Sequence, residues 1–192
     1  MNKLTITIIA LLFSIFANAQ DSSLVKLPIS SDSMKLDKLS VGAGYGYEFG
    51  GLGGNVIFYP QRSVGIFFGG GWPRSNFGYN AGVKVRLLVD KSAAKITPFV
   101  LAMYGYNASL TFKNYPQYNK IFNNATVGAG LDYRPGNSKT GFLSLVIYVP
   151  LRDTPGIHRY LNYVNQFEVM NGDFSHKLYP LSISLGYKFI IL

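Results

Sequence analysis

Cysteine is absent and charge is scarce in this chain of 192 residues, since only 14% of them are Asp, Glu, Lys or Arg. The missing cysteine excludes disulfides, thiolate metal sites and a cysteine nucleophile. The charged fraction lies well below the roughly 25% that soluble globular domains usually carry. Hydrophobic residues make up 48%, and there are 21 glycines, 14 tyrosines and 14 phenylalanines. This composition favours an all-β chain that lies in a membrane.

Acidic residues are the scarcer of the two signs of charge. Nine Asp and Glu stand against 18 Lys and Arg, which gives a formal net charge of +9. A basic chain suggests a nucleic-acid partner, but the positive residues here are scattered, without a run of Lys or Arg. If the protein is exported, the natural counterparts are anionic lipid headgroups and surface phosphates, and simple solubility of loops and turns explains the charge at least as well. We therefore expect lipid contacts and no nucleic acid.

The longest mainly apolar run lies at the N-terminus, and no later segment is a continuous apolar span, so no transmembrane helix is predicted. Residues 4–16 follow the basic Lys3, and Ala17-Asn18-Ala19 matches the small-x-small pattern of a cleavage site. This pattern predicts a secretory signal peptide over 1–19, followed by a flexible periplasmic lead-in over 20–38. A membrane anchor helix is the alternative, but the run is shorter than the roughly 20 residues that a helical span needs.

From Leu39 onward, apolar and polar residues alternate. In the first stretch the even positions are Ser40, three glycines and Glu48, while the odd positions are Leu39, Val41, Ala43, Tyr45, Tyr47 and Phe49. A period of two predicts a strand with two different faces. The polar face is too small and too hydrophilic to fill a core, so we expect the apolar face to point outward, toward lipid. Strands are predicted over 39–49, 52–59, 63–72, 77–89, 95–107, 122–133, 141–151 and 178–191.

These strands predict an all-β fold: an eight-stranded antiparallel up-and-down transmembrane β-barrel over 39–192. Connections after strands two, four and six are compact, whereas those after five and seven are long, as in outer-membrane barrels. The main rival is a secreted lipocalin-like barrel, whose apolar face would have to point inward. The fifth strand fits least well, because Phe99, Leu101 and Met103 would face inward. Either the interior is partly apolar or the register shifts at Pro98.

The chain resembles small eight-stranded outer-membrane β-barrels of the outer-membrane protein A and X type. The resemblance covers 39–192 and lies in the signal, the strand count, the alternation and the last strand, where Tyr187-Lys188-Phe189 matches an aromatic-ended assembly signal. Ile190-Ile191-Leu192 extends beyond that pattern. The resemblance implies a place in the outer membrane of a diderm bacterium and the barrel-assembly machinery as a partner during biogenesis. It implies no specific activity and no cofactor.

Aromatic residues gather near both ends of the predicted strands. An aromatic belt at each interface is typical of membrane barrels, and aromatic packing inside a soluble sandwich is the alternative. The predicted outer belt comprises Tyr45, Tyr47, Phe49, Trp72, Phe77, Tyr79, Tyr104, Tyr106 and Tyr179, and the inner belt comprises Phe58, Tyr133, Tyr187 and Phe189.

Five charged residues fall on the polar, inward face: Glu48, Lys84, Arg86, Asp132 and Lys188. Charges in so narrow a space must be paired or wetted, because burying an unpaired charge is costly. We therefore expect Asp132 to pair across the interior with Arg86 or Lys188. These residues suggest either a plugged interior with structural ion pairs or a selectivity ring in a narrow channel.

The long connections carry the candidate binding residues. Aromatic and basic side chains together suit lipopolysaccharide, glycan or protein contacts, although headgroup contact at the rim explains them equally. The candidates are Lys113, Tyr115, Tyr118, Lys120, His158, Arg159, Tyr160, Tyr163 and Phe167.

The sequence leaves three functions open. The first is a structural or surface-binding role through the external loops, the second is a narrow channel for small solutes, and the third is an enzyme that modifies outer-membrane lipid. His158 and His176 lie in the last long connection near several acidic residues, but nothing fixes the geometry that a nucleophile and its base require. We therefore predict no catalytic residue, no metal site and no cofactor.

Overall fold

The computed structural model describes residues 37–73, 76–87, 95–112, 115–135, 140–166 and 179–191. Eight antiparallel strands in these ranges form a closed barrel in chain order, with β1 paired to β8. The predicted eight-stranded up-and-down barrel is confirmed. The predicted signal peptide lies outside the described residues. The strands are β1 Leu39–Gly46, β2 Gly51–Phe58, β3 Val64–Trp72, β4 Gly78–Arg86, β5 Ile96–Leu110, β6 Lys120–Tyr133, β7 Gly141–Pro150 and β8 Ser182–Ile190.

The alternation of each strand separates an outward from an inward face. In β3, Ile66 and Phe68 are each 56% exposed on the outside of the barrel, whereas Phe67 between them is 2% exposed. The exposed large hydrophobic residues of the other strands follow the same rule. The barrel therefore presents an apolar outer surface and encloses its charges.

The barrel has two unequal ends. Residues that begin β1 and finish β8 lie together, since Ser40 pairs with Ile190, and we call this the terminal end. The opposite, loop end carries the connections from β1 to β2, β3 to β4, β5 to β6 and β7 to β8. The last two are the long ones, so both candidate binding segments lie at the same end.

β5 resolves the ambiguity of the fifth predicted strand. Phe99, Leu101 and Met103 are buried inside the barrel, and the pairing runs unbroken across Pro98, which lies opposite Leu131. The register shifts only further along, between Tyr106 and Ala108. The interior is therefore partly apolar, and the alternative of a shift at Pro98 is wrong.

The first predicted strand ends earlier than its alternation indicated. β1 stops at Gly46, and Tyr47–Phe49 form a 3-10 turn whose three side chains are all buried. Gly46 has a φ of 137° and Gly50 a φ of 67°, values that residues with a Cβ adopt at a steric cost. These glycines turn the chain into the barrel, so Tyr47 and Phe49 do not belong to the outward belt predicted for them.

Two loop-end connections contain more regular structure than predicted. β5 and β6 extend past the barrel to Leu110 and Lys120, beyond the strand ends predicted at 107 and 122. The last connection contains helix α1, Thr154–Asn165, whose N-terminus is capped by the Asp153 carboxylate accepting from the Gly156 N–H at 3.2 Å. None of the helices in the described ranges is both long and apolar enough to cross a membrane.

Candidate functional site

The five charged residues predicted on the inward face all lie inside the barrel, each no more than 3% exposed. The pairing of these charges differs from the predicted one. Asp132 accepts from the Lys84 ammonium, at 2.9 and 2.8 Å to its two carboxylate oxygens. The expectation that Asp132 pairs with Arg86 or Lys188 is wrong, because each of those two cations is paired with a different carboxylate.

Lys188 is paired with Glu48, which the Tyr47–Phe49 turn carries into the barrel. The Lys188 Nζ lies 3.1 Å from a Glu48 carboxylate oxygen and 3.5 Å from the Ser144 Oγ. Glycines make room for this inserted turn: a Cβ on Gly69 would collide with the Glu48 carbonyl oxygen, and one on Gly186 would collide with the Phe49 ring. The glycine-rich inward face therefore accommodates the inserted turn.

Arg86 is paired with Asp37, which precedes β1. The buried Asp37 carboxylate accepts from the Ser40 hydroxyl at 2.7 Å, from Arg86 at 2.7 Å and from Arg134 at 2.8 Å. The Arg86 guanidinium also lies 3.6 Å from the centre of the Tyr59 ring. This cluster ties the start of β1 to β4 and to the chain that follows β6, and it lies at the terminal end of the barrel.

The pKa of Asp37 reflects two opposed effects. Burial alone raises the pKa of this carboxyl, because a low-dielectric site disfavours charge. The charge of Arg86, its hydrogen bond and that of Ser40, and the charge of Arg134 together hold the pKa of Asp37 below its ordinary value of 3.8. Asp37 is therefore ionised at neutral pH.

Aromatic side chains close the loop end of the barrel. The Tyr47 hydroxyl donates to the Asn107 carbonyl at 2.8 Å, and the Asn80 amide donates to the Tyr47 carbonyl at 2.6 Å. The Tyr47 ring packs edge-on against Tyr148, with 5.6 Å between ring centres, and lies 5.2 Å from Tyr106. Buried side chains therefore lie inside the barrel near both of its ends, and an eight-stranded barrel is narrow enough for side chains to fill it.

Most of the predicted belt residues point outward. Trp72 and Phe77 are exposed and contact each other, with 5.4 Å between ring centres. Tyr106 and Tyr187 are half-buried, and Tyr106 packs against the interior cluster. The exposed members are Tyr45, Trp72, Phe77, Tyr79, Tyr104 and Tyr179 toward the loop end, with Phe58, Tyr133 and Phe189 toward the terminal end.

A second packed cluster lies beyond the barrel, between the β5–β6 extension and α1. We call residues 108–112, 115–122 and 154–165 the loop-end platform. Half-buried Tyr118, Phe122, Tyr160 and Leu161 surround its core, and the buried members of that core are Ala108, Leu110, Phe112, Ile157 and Val164. The two long connections therefore form one folded unit with its own apolar core.

Seven of the nine candidate binding residues lie on this platform, while Lys113 and Phe167 fall outside the described residues. The Lys120 Nζ lies 4.3 Å from the centre of the Tyr160 ring, and the Tyr160 hydroxyl donates to the Tyr118 carbonyl at 2.7 Å. Partial burial, together with the neighbouring Tyr163 and Tyr118 hydroxyls, raises the pKa of Tyr160. Tyr115, Lys120 and Tyr163 are exposed, and His158 and Arg159 are the other two exposed candidates.

Sequence reasoning missed Asp37, Arg134 and the helix of the platform. Asp37 lies in a segment predicted as flexible lead-in, and only its distance to two arginines reveals its role. His158 is exposed on α1, and His176 falls outside the described residues. Within the described ranges, no group of three or more His, Asp or Glu side chains is placed to hold a metal ion. Comparison with protein-family models, curated proteins and solved structures finds no match to this chain.

Proposed function

We propose that this chain is an outer-membrane protein whose barrel spans the lipid bilayer with a closed interior. In this proposal the loop-end platform serves a structural or surface-binding role outside the cell. The observation that carries the proposal is the outer surface of the barrel, where large apolar side chains from the strands lie exposed around a charged interior. In water so continuous an apolar surface would drive aggregation, whereas in lipid it is the surface that the surroundings require.

The aromatic residues support a particular depth in the bilayer. Trp72, Phe77 and Tyr104 are exposed toward the loop end, and Tyr133 and Phe189 toward the terminal end. Amphipathic rings are most stable at the two membrane interfaces, so the aliphatic residues between these rings would lie in the hydrocarbon. The terminal end then faces the periplasm and the platform faces outward. Outer-membrane lipid, including lipopolysaccharide, is the surrounding partner, and the barrel-assembly machinery is the partner during insertion.

The filled interior favours a binding role over conduction. Lys84, Lys188 and Arg86 each have a carboxylate partner within 3.1 Å, and Phe67, Phe99 and Tyr148 belong to a buried apolar cluster inside the same barrel. A selectivity ring needs solvated charges that face an open path. The platform, in contrast, has a folded core beneath exposed aromatic and basic side chains, as a surface that binds a partner requires.

Single-cysteine variants test this proposal cleanly because the chain contains no cysteine. Tyr163→Cys on the platform should react with a membrane-impermeant maleimide in intact cells. Lys95→Cys at the terminal end should react only after the outer membrane is permeabilised, and the cysteine-free parent is the control. Equal reaction of both variants in intact cells, or recovery of the protein from the soluble periplasmic fraction, would contradict the proposal.

A further inference from the structure

Aromatic and basic side chains lie close to one another on the loop-end platform. The Lys120 Nζ lies beside two rings, 4.3 Å from the centre of Tyr160 and 5.5 Å from that of Phe122. On α1, Tyr160 and Tyr163 lie side by side with ring centres 6.4 Å apart. Arg159 stands one helical turn before Tyr163, so both share one face of the helix. We call Lys120, Phe122, Arg159, Tyr160 and Tyr163 the platform strip.

The strip is held in place from below. Phe122 and Tyr160 meet edge-on with ring centres 5.8 Å apart, and the Tyr160 hydroxyl is fixed by the Tyr118 carbonyl. Beneath them, Ile157 and Val164 bury α1 against the β5–β6 extension. The rings of Phe122 and Tyr160 therefore need little ordering when a ligand arrives, which lowers the cost of binding.

The charge of the strip is positive. Within the described part of the platform and the residues that lead into α1, Asp153 is the one acidic residue, and its carboxylate accepts from the Gly156 N–H. Lys120 and Arg159 are exposed, and neither has a carboxylate within salt-bridge distance among the described residues. The complementary ligand carries negative charge.

The shape of the strip favours a sugar over a protein. One face of a pyranose ring presents C–H groups, which pack on aromatic rings, while its hydroxyl and carboxylate groups accept from lysine and arginine. Protein interfaces are depleted of lysine at their centre, whereas this strip includes the exposed Lys120 next to the Tyr160 ring. Single-stranded nucleic acid also stacks on aromatic rings, but it needs a basic groove along its backbone, and the strip offers two basic side chains.

We infer that the platform strip binds an acidic polysaccharide whose sugar units carry carboxylates. The rings of Tyr160 and Tyr163 contact the C–H faces of successive sugars, and Lys120 and Arg159 bind the carboxylates. This inference rests on the proposed function, because such a polymer meets the platform only if the loop end lies outside the cell.

The test is a titration of the full chain, reconstituted in lipid vesicles, with polygalacturonate, alginate and hyaluronate. We expect binding that weakens as salt is added. The double variant Lys120→Gln/Arg159→Gln should lose about tenfold in affinity, the size expected for a lost charge-assisted contact. Tyr163→Ala, which removes an exposed ring with 52% of its surface accessible, should also weaken binding. The matched controls, Lys95→Gln at the terminal end and Tyr45→Ala on the barrel rim, should leave affinity unchanged.

Several outcomes would overturn the inference. The inference is overturned if none of the three polymers binds, if neutral dextran binds equally well, or if polyuridylate binds more tightly. It is also overturned if the polymers bind only when the vesicles contain lipopolysaccharide. Insertion is verified first by the heat-dependent shift in gel mobility that folded membrane barrels show. Protein that does not enter vesicles contradicts the proposed function, whereas inserted protein that ignores the polymers contradicts this inference alone.

Discussion

The barrel interior and the loop-end platform place a lysine over an aromatic ring in opposite surroundings. Inside the barrel, the Lys84 Nζ lies 3.5 Å from the centre of the Phe99 ring and is fully buried against the Asp132 carboxylate. On the platform, Lys120 lies over Tyr160 and remains exposed. A cation removed from water needs a counter-charge, whereas one left in water does not. The cations of the interior are therefore paired with carboxylates, whereas Lys120 and Arg159 on the platform have no carboxylate within salt-bridge distance among the described residues.

The largest expected effect comes from removing one member of a buried ion pair. Asp132→Leu leaves the Lys84 ammonium buried without its partner, which should lower the free energy of unfolding by about 3–5 kcal/mol. The double variant Lys84→Met/Asp132→Leu removes both charges and should recover most of that loss. Unfolding by urea in detergent micelles measures both values.

The platform lysine is the matched control for this pair. Lys120→Met should change the free energy of unfolding by less than about 0.5 kcal/mol, because the side chain is exposed. If Lys120→Met destabilised the protein as much as Asp132→Leu, the contrast between interior and platform would be lost.

The second prediction concerns the platform core. Leu110→Ala removes a buried side chain from the contact with α1 and should cost about 2–5 kcal/mol, as such truncations do. The loss should stay local, because α1 rests on the β5–β6 extension beyond the barrel. Limited proteolysis should cut the variant within 154–165, while the heat-dependent shift of the barrel in gels is unchanged. Loss of that shift would show that barrel and platform unfold together.

The third prediction separates the closed terminal end from the exposed platform by pH. Asp37→Asn weakens three hydrogen bonds, two of them to arginines, and should cost about 1.5–3 kcal/mol at neutral pH. Because the pKa of Asp37 is lowered in the folded protein, its stabilisation is fully present above the ordinary value of 3.8 and is lost as the pH falls through the folded value. The difference in unfolding free energy between wild type and Asp37→Asn should therefore shrink as the pH falls below 3.8 toward the lower pKa of the folded protein. A difference that stayed constant down to pH 2 would show that ionised Asp37 does not stabilise the fold.

The smallest expected effect is a local loosening of the platform surface. Tyr160→Phe removes the hydroxyl that donates to the Tyr118 carbonyl and should cost about 1 kcal/mol of platform stability. Hydrogen exchange of the α1 amides measures this loss, and the barrel amides serve as the internal reference. Unchanged exchange in α1 would mean that this hydrogen bond does not hold the platform.

Periodicity predicted the strands because a period of two is written directly in the residues. The same periodicity failed at Tyr47 and Phe49, which continue the alternation of Tyr45 although the chain has already turned inward. The available signal was the pair of glycines that flank the turn, Gly46 and Gly50, since both have positive φ. Alternation alone does not distinguish a strand from such an insertion.

The ion pairs and the helix differ in how well they can be predicted from the sequence. The partners of Asp132, Lys188 and Arg86 depend on distances across the barrel, and two of the three carboxylates involved come from segments outside the strands. Helix α1 carried a readable signal: Asp153 as cap, Pro155 in the first turn, and Ile157 and Val164 one heptad apart on the buried face. The helix could therefore be predicted from the sequence, whereas the ion pairs could be identified only from the folded structure.

The central claim is that the apolar outer surface of the barrel faces lipid. The chain has a single tryptophan, Trp72, which is 64% exposed near the loop end of β3. In vesicles containing brominated lipids, its fluorescence should be quenched most by bromines close to the headgroups. In the variant Trp72→Phe/Phe68→Trp, which moves the probe toward mid-barrel, deeper bromines should quench most. Quenching of both proteins by aqueous iodide, without quenching by brominated lipid, would contradict the account.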